Sequence, residues 1–170
     1  MHWIMILIEP TIQVRFGRAL RPRVLAAFLR QASEATRLAG DVDVLLTSDA
    51  HLRRLNREFR GKDRPTDVLS FPALESLNGH RRMAGDLAIS VDTAARQADE
   101  RAHPLATELQ ILMLHGLLHL AGYDHETDLG RMARKEAALR SRFGLTEGLI
   151  ERSARLAPGK APSPRRSRKP

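Results

Sequence analysis

Apolar positions along the chain recur with two periods, and the change from one to the other outlines the elements. Residues 3–8 are a short apolar run that reads as a first strand. After Pro22, Val24, Leu25, Phe28, Ala32 and Ala35 return at helical spacing and predict a helix to about Leu38, with Gly40 just beyond. Val42, Val44 and Leu46 alternate, as in a half-buried strand. Asp49 suits the N-cap of a short helix with Leu52, Leu55 and Phe59 on one face. Residues 68–71 form a strand between Pro65 and Pro72. A polar loop with Asn78-Gly79 follows, then a strand at residues 86–91 and a helix from about Thr93 to Arg101. Further helices are predicted at residues 109–121 and from about Asp128 to Phe143. About four strands and five helices, not strictly alternating, make an α+β domain without internal repeats.

The helix at residues 109–121 stands apart. Besides two histidines, only Gln110 and Gly116 interrupt its apolar side chains, so it is hydrophobic nearly all round and belongs in the interior. Pro104 suits its first turn, Glu108 lies near its positive end, and Gly122 falls where helices close on a left-handed residue. The last helix has an apolar stripe of Leu129, Met132, Leu139 and Phe143, and Glu136 falls inside it. A carboxylate there either reaches water at the rim or turns inward to a partner. One such partner is a histidine of the buried helix, whose tautomer the carboxylate would fix.

His115, His119 and His125 are spaced H-x3-H-x5-H. Residues four apart share one face of a helix, and a turn at Gly122 carries the third imidazole back towards the first two. Two buried histidines on one face each need a partner, and a shared metal satisfies both. Three neutral ligands leave a fourth position open on zinc, the mark of a catalytic rather than a structural site, although nickel and copper also accept imidazole. Zinc proteases of the HExxHxxGxxH pattern have the same spacing with a glutamate as general base. Gly116 stands in its place, and Asp124 is the one other acid in the run. A phosphodiester suits this deficit, because its charged oxygens bind a metal directly and an arginine can hold the rest of the group. His2, His51, His80 and His103 lie in polar or terminal contexts and are expected at the surface.

Composition sharpens the picture at the edges. The 170 residues hold no cysteine, which excludes disulfides and thiolate zinc sites and fits a reducing cytoplasm. The run at residues 3–8 lacks the flanks of a secretory signal, and no stretch approaches a membrane span. Of the net charge of +8, much sits at the C-terminus, where Lys160, Arg165, Arg166, Arg168 and Lys169 occur without an acid. Residues 1–156 therefore read as the catalytic domain and residues 157–170 as a disordered basic tail. Such a tail binds phosphate backbones without specificity or serves only solubility.

Arg60, Lys62 and Arg64 cluster where a helix gives way to Gly61 and Pro65. By charge alone this is more often a solvated face than an anion site. The run LNREFRGKDRPTDVLSFP that contains it, GDLAIS at residues 85–90 and HGLLHLAGYDH at residues 115–125 together resemble the YbeY family, the bacterial rRNA-maturation endoribonucleases. Met132 and Glu136 also stand where that family's next helix carries Met and Glu, and the likeness runs from about Ile6 to Leu145.

The resemblance implies a small α+β fold with a four-stranded mixed sheet and one Zn2+ held by His115, His119 and His125. It implies a single-strand-specific endoribonuclease that matures the 3′ end of small-subunit rRNA and serves ribosome quality control. Single-stranded RNA, the small-subunit rRNA, the ribosome and its associated proteins are the partners expected, in the cytoplasm, with no membrane. Arg60 takes the place of the family's functional arginine and His115 that of its first motif histidine; Lys62 and Arg64 are further RNA-binding candidates. A ribosome-assembly factor with a chiefly structural zinc and a metallopeptidase are the competing classes.

Overall fold

Alternation along the strands decides what each sheet face buries, and so where the helices pack. The computed structural model describes residues 3–73 and 82–145. His2, the Asn78-Gly79 loop with His80, the boundary at residue 156 and the basic tail lie outside the described residues. Strands β1 (Ile4–Ile8), β2 (Asp41–Thr47), β3 (Val68–Pro72) and β4 (Met83–Ser90) form one sheet in the order β1-β2-β4-β3. The first three in that order are parallel and β3 runs antiparallel to β4, so the sheet is mixed. Six helices accompany them: α1 (Pro10–Phe16), α2 (Pro22–Thr36), α3 (Asp49–Arg60), α4 (Val91–Glu100), α5 (Leu105–Leu120) and α6 (Arg131–Phe143).

Val42, Val44 and Leu46 of β2 and Leu87 and Ile89 of β4 face the main core, with Leu25 and Leu29 of α2 and Leu109, Leu112 and Leu117 of α5. The side chains between them, Leu45 and Ala88, face the opposite way and join Leu69, Phe71 and the α3 residues Leu52 and Leu55 in a second, smaller cluster. The sheet is thus sandwiched between α3 on one side and α2 with α5 on the other, with α4 and α6 packed against α5.

The pattern missed one helix. α1 is seven residues long, starts at a proline and buries only Ile12, so it is too short to show a period. Other differences are shifts at the ends. Ser48, not Asp49, caps α3 and accepts the His51 N–H at 3.3 Å. Asp49 is the first helical residue, and its carboxylate accepts from Ser90, Thr93 and Arg96 of the neighbouring strand and helix. Ser90 in turn caps α4, which ends β4 one residue early. Asp128 lies before α6 and accepts the Met132 N–H.

Two of the histidines expected at the surface are not free there. His103 is nearly buried, its Nε2 3.0 Å from the fully buried Glu108 carboxylate in the first turn of α5. His51 is part-buried against Thr47 and Glu9. In both, a helix or strand end folds a polar partner over the ring, which sequence spacing does not show.

Candidate metal centre and groove

α5 is buried along most of its length, from Leu109 through Leu118 with few interruptions, because its side chains are apolar on every face. His115 comes out of this interior only 5% exposed. His119, one turn on, is half-buried, and His125 is exposed. The chain between them follows a defined C-terminal motif. The Gly122 N–H donates to His119 O and the Tyr123 N–H to Leu118 O, each at 3.0 Å, the paired bonds of a Schellman ending. Gly122 adopts φ 87°, where a side chain would be strained. Asp124 then accepts from the Glu126 N–H at 3.1 Å and the Thr127 hydroxyl at 2.9 Å, and this turn sets His125 beside the helix.

The three rings form a near-equilateral triangle, with centroids 4.8, 5.4 and 5.3 Å apart. One nitrogen from each lies within 4.8 Å of the others. His115 Nδ1 is 3.1 Å from Glu136 Oε1 of α6, and Glu136 is itself buried. The inward reading of Glu136 is thus the geometry observed. With its proton donated from Nδ1 to the carboxylate, His115 presents the Nε2 lone pair to His119 Nε2, 3.1 Å away. Burial holds His119 down to a pKa of about 4, and the neighbouring His115 and His125 add to the shift, so this ring is neutral near pH 7. A 3.1 Å contact between two imidazole nitrogens needs a proton on one of them or a cation shared by both. Imidazole nitrogens 2.0–2.1 Å from one tetrahedral ion stand about 3.3 Å apart, close to the spacing observed. The donor set therefore fits a metal.

The position of the protease glutamate is filled by packing. A Cβ on Gly116 would lie 2.7 Å from Leu87 Cδ2 and 3.3 Å from Ser70 Oγ, and Leu87 is itself buried in the core. Asp124, the other acid of the run, is committed to its turn. The Glu126 N–H and Thr127 hydroxyl stabilise its ionised form and lower its pKa, which makes it a weak base.

The tripod opens on a groove of about 790 Å³. Arg60, the last residue of α3, lines it together with Lys62 and Arg64 of the loop that follows. That loop is pinned: Asn56 Nδ2 donates to Arg64 O at 2.9 Å, and Arg53 pairs with Asp63 at 2.7 Å. Across the groove lies the outer edge of β3. The pairing of Ala73 with Ala84 and of Asp67 with Ser90 alternates the ladder, so Ser70 turns its carbonyl away from β4, and Arg60 Nη2 approaches that carbonyl at 3.5 Å. The Ser70 hydroxyl donates to Gly116 O of α5 at 3.2 Å, tying this strand to the histidine helix. Arg60, Lys62, Arg64 and all three histidines thus share one groove, while Glu136 stands behind His115. Ser70, Tyr123, Gln97 and Arg101 also line it. Tyr123 and Ser70 lie inside quoted sequence runs, those of the histidines and of Arg60; Gln97 and Arg101 come from α4, which meets the site only in three dimensions.

The protein is a mixed-sheet α+β domain with an imidazole tripod that could hold a metal ion, opening on a groove with cationic side chains. Comparison with known proteins makes this specific. The family model described as Endoribonuclease YbeY matches residues 12–144, and the chain belongs to that family. Relatives include the Endoribonuclease YbeY of Koribacter versatilis, 51% identical over 133 residues, covering 78% of this chain and 84% of that protein. That of Solibacter usitatus is 49% identical over 142 residues, covering 82% and 92%. A solution structure of a Thermotoga maritima protein superposes with a TM-score of 0.54 at 28% identity, covering 95% of this chain and all of that one.

Proposed function

We propose that this chain is a zinc-dependent, single-strand-specific endoribonuclease that matures the 3′ end of small-subunit rRNA and takes part in ribosome quality control in the cytoplasm. The observation that carries the reading is the common groove of the three imidazoles and Arg60, in a chain of the endoribonuclease family. His115, His119 and His125 would hold one Zn2+, which supplies Lewis acidity at a phosphoryl oxygen. Arg60 faces the same space and offsets the charge that builds on the phosphoryl group in the transition state. Its planar fork suits a pair of phosphate oxygens, and the Ser70 carbonyl helps to hold it there. Lys62 and Arg64 bind the backbone on either side. Glu136 fixes the His115 tautomer and keeps Nε2 available. Three protein ligands leave a coordination position free, which favours turnover over a purely structural metal.

The test is cleavage of single-stranded and duplex RNA by purified protein and by Arg60→Ala. The single strand is cut and the duplex spared. Arg60→Ala lowers kcat by about 10²–10³, the usual cost of removing one charge-stabilising donor, and leaves metal content unchanged. Equal activity of the Arg60→Ala protein would sink the assignment of Arg60. Degradation of casein that depends on His119 would move the chain to the peptidases.

A further inference from the structure

Arg101 closes α4 and lines the groove, and neither the basic cluster nor the tripod accounts for it. Its Nη1 donates to Gln97 O at 3.1 Å, the bond of a helix-closing arginine. Its ion pair with Glu100 is 3.6 Å long and lies at the surface, where Glu100 is 69% exposed; such a pair contributes little. A guanidinium has five N–H donors, so among the described residues these contacts leave most of them uncommitted on a side chain that lines the groove. The backbone beneath is fixed in turn: Gln97 Nε2 donates to Asp67 Oδ2 at 3.3 Å, and the other Asp67 oxygen accepts the Val68 N–H.

The position along β3 separates Arg101 from the reacting centre. Ser70 touches α5 at Gly116, beside His115, whereas Gln97 meets the strand at Asp67. Asp67 and Ser70 are three residues apart in extended chain, about 10 Å, so Gln97, which Arg101 holds, is anchored that far along the chain from the Ser70–Gly116 contact. We infer that Arg101 is a second phosphate-binding point, which holds the backbone of a single-stranded RNA one or more nucleotides away from the phosphodiester at Arg60. The strand then lies along β3, with Arg60 and the tripod at one end and Arg101 at the other. Asp67, next to this point, is already engaged with Gln97 and Val68 and serves to fix the wall.

This inference rests on the endoribonuclease reading and is tested with the full-length, zinc-loaded protein on a single-stranded RNA of about 12 nucleotides. Arg101 acts away from the reacting group, so Arg101→Ala raises KM and leaves kcat unchanged, the signature of binding shared by ground and transition states. The dependence of log(1/KM) on log[salt] becomes shallower by about 0.7, the contribution of one phosphate on a single strand. Arg101→Gln, which keeps a donor for Gln97 O, shows the same loss, and Arg101→Lys recovers most of it. Arg30→Ala, an exposed cation on α2 outside the groove, leaves the salt dependence as it was. An Arg101→Ala protein with unchanged KM and slope, a fall in kcat alone, or an equal effect of Arg30→Ala overturns the inference while the activity of the wild type stands. Failure of the wild type to cut the RNA removes both.

Discussion

His119 is where burial and charge meet in the tripod. It passes from an ordinary pKa of 6.5 in the unfolded chain to about 4 in the fold, through burial first and the two neighbouring rings second. Between these values the unfolded chain binds the extra proton and the native one does not. Stability of the metal-free protein therefore rises with pH across this window and is lost as pH falls from about 6.5 towards 4. Denaturant titrations of chelator-treated protein from pH 4 to 8 check this, and a His119→Gln variant should show a flatter profile. Glu136 acts at the same scale. Glu136→Gln keeps the shape but not the charge facing His115, and metal affinity should fall by about 10–100-fold, as read by competition with a chromophoric chelator. Unchanged affinity would reduce Glu136 to packing. The histidine spacing announced the tripod, because two ligands on one turn and a glycine after it are local facts. It left Glu136 open between rim and interior, since only the packing of α6 on α5 decides that.

At the scale of elements, α5 carries most of the constraint. Its interior was legible from unbroken hydrophobicity, and its end from Gly122. The length of α1 hid it, and the caps exchanged between α3 and α4 moved boundaries by a residue, because Asp49 serves its neighbour instead of its own helix. Gly116 shows what spacing alone could not explain. Sequence shows that the protease glutamate is missing; the packing shows that the buried Leu87 side chain would have to move to admit it. Gly116→Glu should destabilise the protein by more than the about 1–3 kcal/mol of an overpacked core, since it also buries a carboxylate. The midpoint of urea unfolding measures it, and a stable Gly116→Glu protein would mean that α5 can shift from the sheet. Gly122→Ala should cost about 1–2 kcal/mol for its left-handed backbone and weaken metal binding by loosening His125.

On the scale of the whole molecule, the groove is assembled from the end of α3 and its loop, the edge of β3, the end of α4, and α5 with its turn. Three blocks of sequence were enough to name the family, but not to show that Arg60 and the tripod face one space, nor that Arg101 joins them from a separate helix. Those relations are set by the sheet order β1-β2-β4-β3, which puts β3 at an open edge beside α5. No helix among the described residues is long and apolar enough to cross a membrane. The central claim is that the imidazole tripod holds the metal on which RNA cleavage depends. It is tested most directly by the rate of single-stranded RNA cleavage by one preparation as purified, after chelation, and after zinc is restored. The rate should vanish with the metal and return with about one zinc per chain. A rate that survives chelation, with the tripod emptied, would contradict it.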